Sequence, residues 1–270
     1  MNTQLIELNE IIKVCEDLVA RIKRNGDVGT GDDLYEQYKF AINKFYNKYN
    51  LKSSDSSHIS SAVRIINAFH WDSNYTVNLL EAKIILESVS WLKELLFPGL
   101  FENIFISHRE KDKEQVEALI ELLYAIGIPR PLQNGQSMIF CSSHPSAYIE
   151  NGEMIDDTIM QCFHSRENTY FILWYTDNYF DSQACLNEMG AIWTMQKQYQ
   201  EILVPGFDRN KIGGLLPKQK ISFYADDKHR LNTLKKQIEK MFYLDPIDLN
   251  SWEVARDKFI KALQELSKTN

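Results

Sequence analysis

Glu188 is the residue whose type and spacing most directly suggest chemistry. On a wheel of 100° per residue it falls between Ile192 and Met195, near Cys185 and Ala184. A carboxylate at the edge of an apolar stripe is partly desolvated, so it either takes up protons more readily or requires a partner. Such a group can serve as an electrostatic centre for a reaction that develops positive charge. The alternative is structural: the side chain tilts to solvent or caps a neighbouring strand. Cys185, three residues earlier, reads as a small packing residue rather than a nucleophile, because no histidine lies near it in the sequence. Other chemistries lack their signatures. No strand is followed by GxGxxG, and GxxxxGK[ST], HExxH and GxSxG are absent, which disfavours a Rossmann dehydrogenase, a P-loop NTPase, a zinc protease and an α/β-hydrolase. The four cysteines contain no CxxC pair, so neither a metal site nor a disulfide framework is expected.

The stretch from Phe101 onward supplies a scaffold for this carboxylate. Asn103–Ser107, Ser137–Cys141, Tyr170–Trp174 and Glu201–Pro205 are short apolar runs, and Ile221–Tyr224 is a weaker fifth. Helical patterns lie between them: Val116, Leu119, Ile120, Leu123 and Ile126, closed by Gly127; then Ile155, Ile159 and Cys162; then Ser182 to about Gln198. Two more helices are expected near 227–242 and 251–267. This alternation predicts a parallel sheet covered on both faces with right-handed crossovers. In such sheets the ligand crevice lies at the carboxyl ends of the strands.

The first hundred residues read as entirely helical. Leu5, Leu8, Ile11, Ile12, Cys15, Leu18, Val19 and Ile22 recur at helical spacing and stop at Asn25-Gly26. Leu34, Tyr38, Ala41, Ile42, Phe45 and Tyr49 mark a second helix, and Ile59, Val63, Ile66 and Phe69 a third, after a serine-rich loop from Ser53 to Ser61. A fourth runs from about Tyr75 to Phe97, and Pro98-Gly99 ends it. Two domains are expected: an all-α bundle over 1–98 and an α/β domain over 101–270. The 270 residues carry 44% hydrophobic and 25% charged side chains and a net charge of -7. That balance suits a globular core and argues against a nucleic-acid-coating surface. No run of about 18 apolar residues suggests a membrane span. The N-terminus mixes charge with Leu and Ile unlike a signal peptide, so a reduced cytoplasmic protein is expected.

Three motifs, taken in order, resemble one family. Phe105-Ile106-Ser107-His108-Arg109 with Asp112-Lys113 is similar to the first strand and turn of Toll/interleukin-1 receptor (TIR) domains. Ile139-Phe140-Cys141-Ser142-Ser143, followed by Ile149-Glu150-Asn151-Gly152-Glu153, resembles the second strand and the BB loop of bacterial members. Asn178-Tyr179, then Ser182 to Trp193, is similar to the helix signature S-x-x-C-x-x-E, with Ser182, Cys185 and Glu188 at its fixed positions. The resemblance covers about 101–224, roughly half the chain. It implies a flavodoxin-like domain with a five-stranded parallel sheet.

In the family's catalytic branch the signature glutamate cleaves the N-glycosidic bond of NAD, which implies Glu188 as catalytic residue. NAD is then the substrate, with no cofactor and no metal. Nicotinamide leaves a pyridinium as a neutral ring, so no general acid is needed, and a carboxylate can stabilise the oxocarbenium-like ribose. The acceptor is left open: water, a group on the same molecule, or a second nucleophile. Phe105, read as ending the first strand at the crevice, matches an aromatic that faces the nucleotide, with sheet packing as the alternative. His108 and Arg109 could meet phosphates or ribose, or Arg109 could be a solvated helix-start charge. Ser107 could contact substrate or cap a helix. Ser182 and Cys185 belong to the substrate-side signature. Ala184 stands where plant members often carry an aromatic, so the nicotinamide face would be covered by another residue or subunit. Ser143, Tyr148, Ile149 and Gly152 form the BB loop, through which the resemblance implies homo-oligomers that also involve the helical region. An associated defence effector is a further implied partner; nucleic acid and membrane are not. The role implied is antiviral defence of the Thoeris or a related kind. Two rivals are a non-enzymatic TIR adaptor acting by TIR–TIR association and a glutamate-using nucleoside deoxyribosyltransferase, the latter disfavoured by the BB-loop match.

Overall fold

The computed structural model describes residues 2–29, 31–51, 56–68, 76–131, 137–141, 168–212 and 222–269. The chain divides into two compact units, Asn2–Gly99 and Leu100–Asn270. The Ser142–Glu153 loop and the helix expected around Ile155, Ile159 and Cys162 lie outside the described residues.

In the first unit, α1 (Thr3–Asn25) starts where Asn2 Oδ1 accepts the Gln4 N–H at 2.9 Å, and it buries Leu5, Leu8, Ile11, Cys15, Leu18, Val19 and Ile22. This is the stripe that the apolar spacing predicts. α2 (Asp33–Lys48) is capped by Asp32 and buries Tyr35, Tyr38, Ile42, Phe45 and Tyr46. α3 (Ser57–Ala68) begins inside the serine-rich stretch expected to be loop, because Ser56 Oγ accepts the Ile59 N–H. α4 spans Leu79–Leu96.

The unit is not purely helical. β1 (Val28–Gly29) pairs antiparallel with β2 (Thr76–Val77), and Val28 and Val77 are both buried. That strand occupies the place where the fourth helix was expected to begin. Asn78 moves the start to Leu79 through a capping box: its side chain accepts the Glu81 N–H, and the Glu81 carboxylate accepts the Asn78 N–H.

The second unit is a mixed α/β structure around five parallel strands. β3 (Asn103–Ser107), β4 (Ile139–Phe140), β5 (Thr169–Tyr175), β6 (Tyr199–Leu203) and β7 (Phe223–Tyr224) lie in the order β4-β3-β5-β6-β7. Counting within this sheet, the order is 2-1-3-4-5, that of flavodoxin-like sheets. The helices are α5 (Lys113–Ile126), α6 (Asp177–Phe180), α7 (Gln183–Thr194), α8 (Lys228–Met241) and α9 (Leu249–Thr269).

Strand alternation sorts the core into two layers. Ile104 and Ile106 of β3, with Tyr170, Ile172 and Trp174 of β5, pack against residues of α5, α8 and α9. Phe105 with Phe171, Leu173 and Tyr175 packs against Tyr179, Cys185, Met189 and Ile192 of α6 and α7. Ser107 follows Phe105 by two residues, so its side chain lies on the α6–α7 face. Trp193 is 39% exposed. Ile192 faces the sheet, and the next residue on a helix turns about 100° away.

The α7 helix is also shorter than its pattern suggests. It ends at Thr194 rather than near Gln198, because Gln196 takes a left-handed conformation (φ 52°) while the Lys197 N–H reaches back to Ile192 O at 3.0 Å. Tyr199 is thereby released to begin β6 beside Phe171. A glutamine in this conformation carries a side-chain clash that glycine lacks. Gln196→Gly is expected to stabilise the protein by about 0.5–1 kcal/mol, a range that allows for glycine's greater freedom in the unfolded chain. The check is a higher urea midpoint with an unchanged slope.

Candidate functional site

β3 and β5 are neighbours, and their following connections lead to opposite sides of the sheet, β3 toward β4 and β5 toward β6. The crevice outside their carboxyl ends is therefore the topological switch point, where open parallel sheets bind ligands. Three side chains, one from the turn after β3 and two that follow β5, join the two turns. Asp112, 4% exposed, accepts the Thr176 hydroxyl at 2.6 Å and the Asn178 amide at 2.7 Å. Thr176 in turn caps α6, its Oγ1 accepting the Tyr179 N–H at 3.0 Å. The carboxylate of one turn thus sets the position of the helix that begins at the other.

Glu188, on the second turn of α7, is half-buried. The Ser107 hydroxyl, at the end of β3, approaches Glu188 Oε2 at 2.5 Å. Ser107 Oγ also lies 3.0 Å from the Tyr179 hydroxyl, and that hydroxyl is 3.1 Å from the Cys185 carbonyl. Burial pushes the Tyr179 phenol well above its ordinary pKa, with Glu188 adding to the shift and the Ser107 contact opposing it. It remains a protonated donor across the physiological range. The carboxylate therefore meets the carboxyl end of the sheet directly rather than tilting to solvent, a placement that suits both a reactive carboxylate and one that caps the neighbouring strand.

The other expected residues divide between the site and the core. Ser182 caps α7, its Oγ accepting the Cys185 N–H at 3.4 Å and an Arg109 N–H at 3.4 Å. Arg109 is itself exposed, so a guanidinium stands at the rim near the first turn of α7. Cys185 is buried, and burial pushes its thiol up, opposed by the Ser182 contact. It is a packing residue, as its lack of a histidine suggests.

Phe105 and His108 are both buried. Phe105 sits in the middle of β3 rather than at its end and is 2% exposed, with its ring 5.4 Å from Phe140 and 5.5 Å from Phe171. It is sheet core, the packing alternative. His108 is 6% exposed, within 3.3 Å of the Ile106 carbonyl and 3.5 Å of Cys141 Sγ. Burial lowers its pKa, which disfavours the charged ring that would pair with a phosphate. Ser143, Tyr148, Ile149 and Gly152 lie outside the described residues.

Sequence reasoning assigned no role to Tyr179, Asp112 or Thr176. The signal for Tyr179 was present in its place: a hydroxyl-bearing aromatic between a buried strand and the Glu188 helix. Asp112 carried a weaker one, since a carboxylate at a helix start usually reads as a simple cap. Among the described residues no group of three or more His, Cys, Asp or Glu could hold a metal ion, and no helix is long and apolar enough to cross a membrane.

Comparison with known proteins adds little about activity. The uncharacterized protein YddK of Bacillus subtilis (strain 168) is 35% identical over 160 residues, 59% of this chain. The match spans 56% of that relative, so the chain covers little more than half of its length. No protein-family model and no solved structure gives a significant match.

Removing the Asp112 carboxylate would leave the Thr176 hydroxyl and the Asn178 amide without their buried acceptor. Asp112→Ala is expected to cost about 2–3 kcal/mol of stability, whereas Asp112→Asn, which keeps one acceptor oxygen, should cost less. Denaturant unfolding of both variants checks this. Equal, near-zero losses would show that the two turns hold together without the carboxylate.

Proposed function

We propose that this protein is a TIR-like NAD+ glycohydrolase or cyclase that uses Glu188 to cleave the bond between nicotinamide and ribose. The observation that carries the reading is the approach of Glu188 to Ser107 at the carboxyl end of β3. A half-buried carboxylate at the switch point of a parallel sheet is where ligands of such sheets bind. Two of the three TIR-like motifs contribute to this one place, β3 with its turn and the stretch that forms α6 and α7.

The chemistry asked of the site is modest. The C1′–N bond of the nicotinamide riboside breaks, and both its electrons leave with nicotinamide, which becomes a neutral ring. Positive charge grows on C1′ and the ring oxygen of the ribose, and the Glu188 carboxylate stabilises it. Water, or a group on the same molecule, then bonds to C1′ and gives ADP-ribose or a cyclic isomer. The exposed Arg109 guanidinium, beside Ser182, suits the pyrophosphate. Phe105 and His108 take no direct part, the first as core and the second as a buried neutral ring. A role in antiphage defence, with an associated effector reading the product, rests on the family resemblance.

Incubating the purified protein with NAD and separating the products tests the reading. Free nicotinamide is expected, and its absence would favour the adaptor that works only through association. Glu188→Gln should lower turnover by about 100- to 1,000-fold, the typical effect of losing one electrostatic partner of the transition state. Wild-type nicotinamide release by the folded variant would remove Glu188 from its role.

Assembly is part of the proposal. Ala184 is exposed and offers no ring on which nicotinamide could stack, so a neighbouring subunit's BB loop is taken to complete the site. Specific activity should rise with protein concentration and stay low in a Tyr148→Ala, Ile149→Asp variant. A flat profile, with the variant equal to the wild type, would mean that one chain suffices.

A further inference from the structure

Three contacts join Glu188 to the end of β3 and the first turn of α7. The contacts run in a line: Glu188 Oε2 to Ser107 Oγ at 2.5 Å, Ser107 Oγ to the Tyr179 hydroxyl at 3.0 Å, and that hydroxyl to the Cys185 carbonyl at 3.1 Å. Ser107 and Tyr179 bring one hydroxyl proton each. Two protons cannot fill three hydrogen bonds. If Glu188 is ionised, Tyr179 can donate to Ser107 and Ser107 to the carboxylate, leaving the Cys185 carbonyl with its helical partner alone. If Glu188 is protonated, a third proton enters the line and every donor turns round. Glu188 then donates to Ser107, Ser107 to Tyr179, and Tyr179 to Cys185 O. Each arrangement gives every hydroxyl proton an acceptor, and apart from the O–H bond that forms when Glu188 takes up its proton, only hydrogen bonds change.

We propose that Ser107 and Tyr179 are positioning residues for Glu188, a two-hydroxyl relay whose direction reverses with the protonation of the carboxylate. The burial of both residues supports this. Ser107 is 1% exposed and Tyr179 is fully buried, so in neither arrangement can water substitute freely for a missing partner. Tyr179 is itself held by its N–H to Thr176 Oγ1, which fixes the far end of the line while the hydroxyls rotate. A core tyrosine serving only to pack would have no need of a hydroxyl in contact with both the strand end and the first turn of α7.

The relay deepens the proposed reaction, on which its use in turnover rests. When water attacks C1′ and loses a proton, Glu188 can accept that proton, and the reversed relay receives the O–H with no side chain moving from its rotamer. The ionisable groups around the line, among the described residues, are Tyr175 of β5, Tyr199 and Glu201 of β6, Tyr179 of α6, Cys185 of α7, and Arg109 and Asp112 of the turn after β3. Tyr175, Tyr179, Tyr199 and Cys185 are all shifted upward, chiefly by burial. They stay protonated while a carboxyl titrates.

The test reads the carboxyl itself and needs no substrate. The full chain is labelled with glutamate carrying 13C at the carboxyl carbon, and the Glu188 resonance is assigned by its loss in Glu188→Gln. Its chemical shift is then followed against pH in the wild type, Ser107→Ala and Tyr179→Phe. Ser107→Ala removes the donor to the ionised form, so the titration midpoint should move to higher pH. Tyr179→Phe keeps the ring and removes only the hydroxyl that polarises Ser107, so the midpoint should move the same way by a smaller amount. A Tyr179→Phe midpoint equal to the wild type would overturn the relay, and so would a Ser107→Ala midpoint that stays in place. Because the readout involves no NAD, a relay that passes beside an enzyme that releases no nicotinamide would refute the proposed function alone.

Discussion

The buried Asp112 carboxylate is the interaction on which the site depends. A parallel sheet fixes its strands through backbone pairing, but it does not fix the turns that leave them. Here one side chain from the turn after β3 accepts two hydrogen bonds from the turn after β5. A desolvated carboxylate is costly unless its oxygens are satisfied, so the two turns are held together strongly or not at all. From that anchor the geometry propagates in short steps. Thr176 caps α6, α6 carries Tyr179, and the Tyr179 hydroxyl reaches both Ser107 and the first turn of α7. Glu188 is positioned from below by a strand and from the side by a helix, each referred to Asp112.

This arrangement explains why so much of the core on the α7 face is aromatic and hydroxyl-bearing. Tyr175, Tyr179, Phe180 and Phe207 meet in tilted, edge-to-face and stacked pairs with centroids 5.0–5.6 Å apart. Such rings fill a wide gap between sheet and helix with few rotatable bonds, so α7 cannot slide. The opposite layer, built from α5, α8 and α9, is mainly aliphatic, with Trp174 tied to Gln115 and Trp252 to Asn232. One side of the sheet holds a polar line within an aromatic layer. The other holds the bulk of the unit's aliphatic core.

The fold was legible in the sequence because its signals are local. Apolar runs such as Asn103–Ser107 and Tyr170–Trp174 can be little else than buried strands, and the spacing of α1, α5 and the late helices is strongly periodic. The errors fall where a single residue overrides a pattern. Asn78 and Glu81 cut the front from α4, Gln196 cut the end from α7, and Val28 with Val77 placed a two-residue ladder in a unit that reads as all helix. Each depends on backbone hydrogen bonds that periodicity does not encode.

The site was legible only at its centre. Glu188 stood out because a carboxylate conflicts with the apolar stripe around it, and conflicts of that kind are visible in one dimension. Its partners were not, since Ser107, Asp112 and Tyr179 are 81, 76 and 9 residues away, and each has an ordinary local explanation as a strand end, a helix start and a core aromatic. The placement of Phe105 in the core has the same root. In a strand, adjacent residues face opposite layers, so one position decides whether a side chain joins the crevice or the core. Ser107 is on the Glu188 face and at the strand's end, which gives it an opening to α7. Phe105 shares that face but lies one pleat deeper, beneath the helix. Depth along the strand therefore separates them: its end brings the serine to the carboxylate, and the preceding pleat buries the phenylalanine.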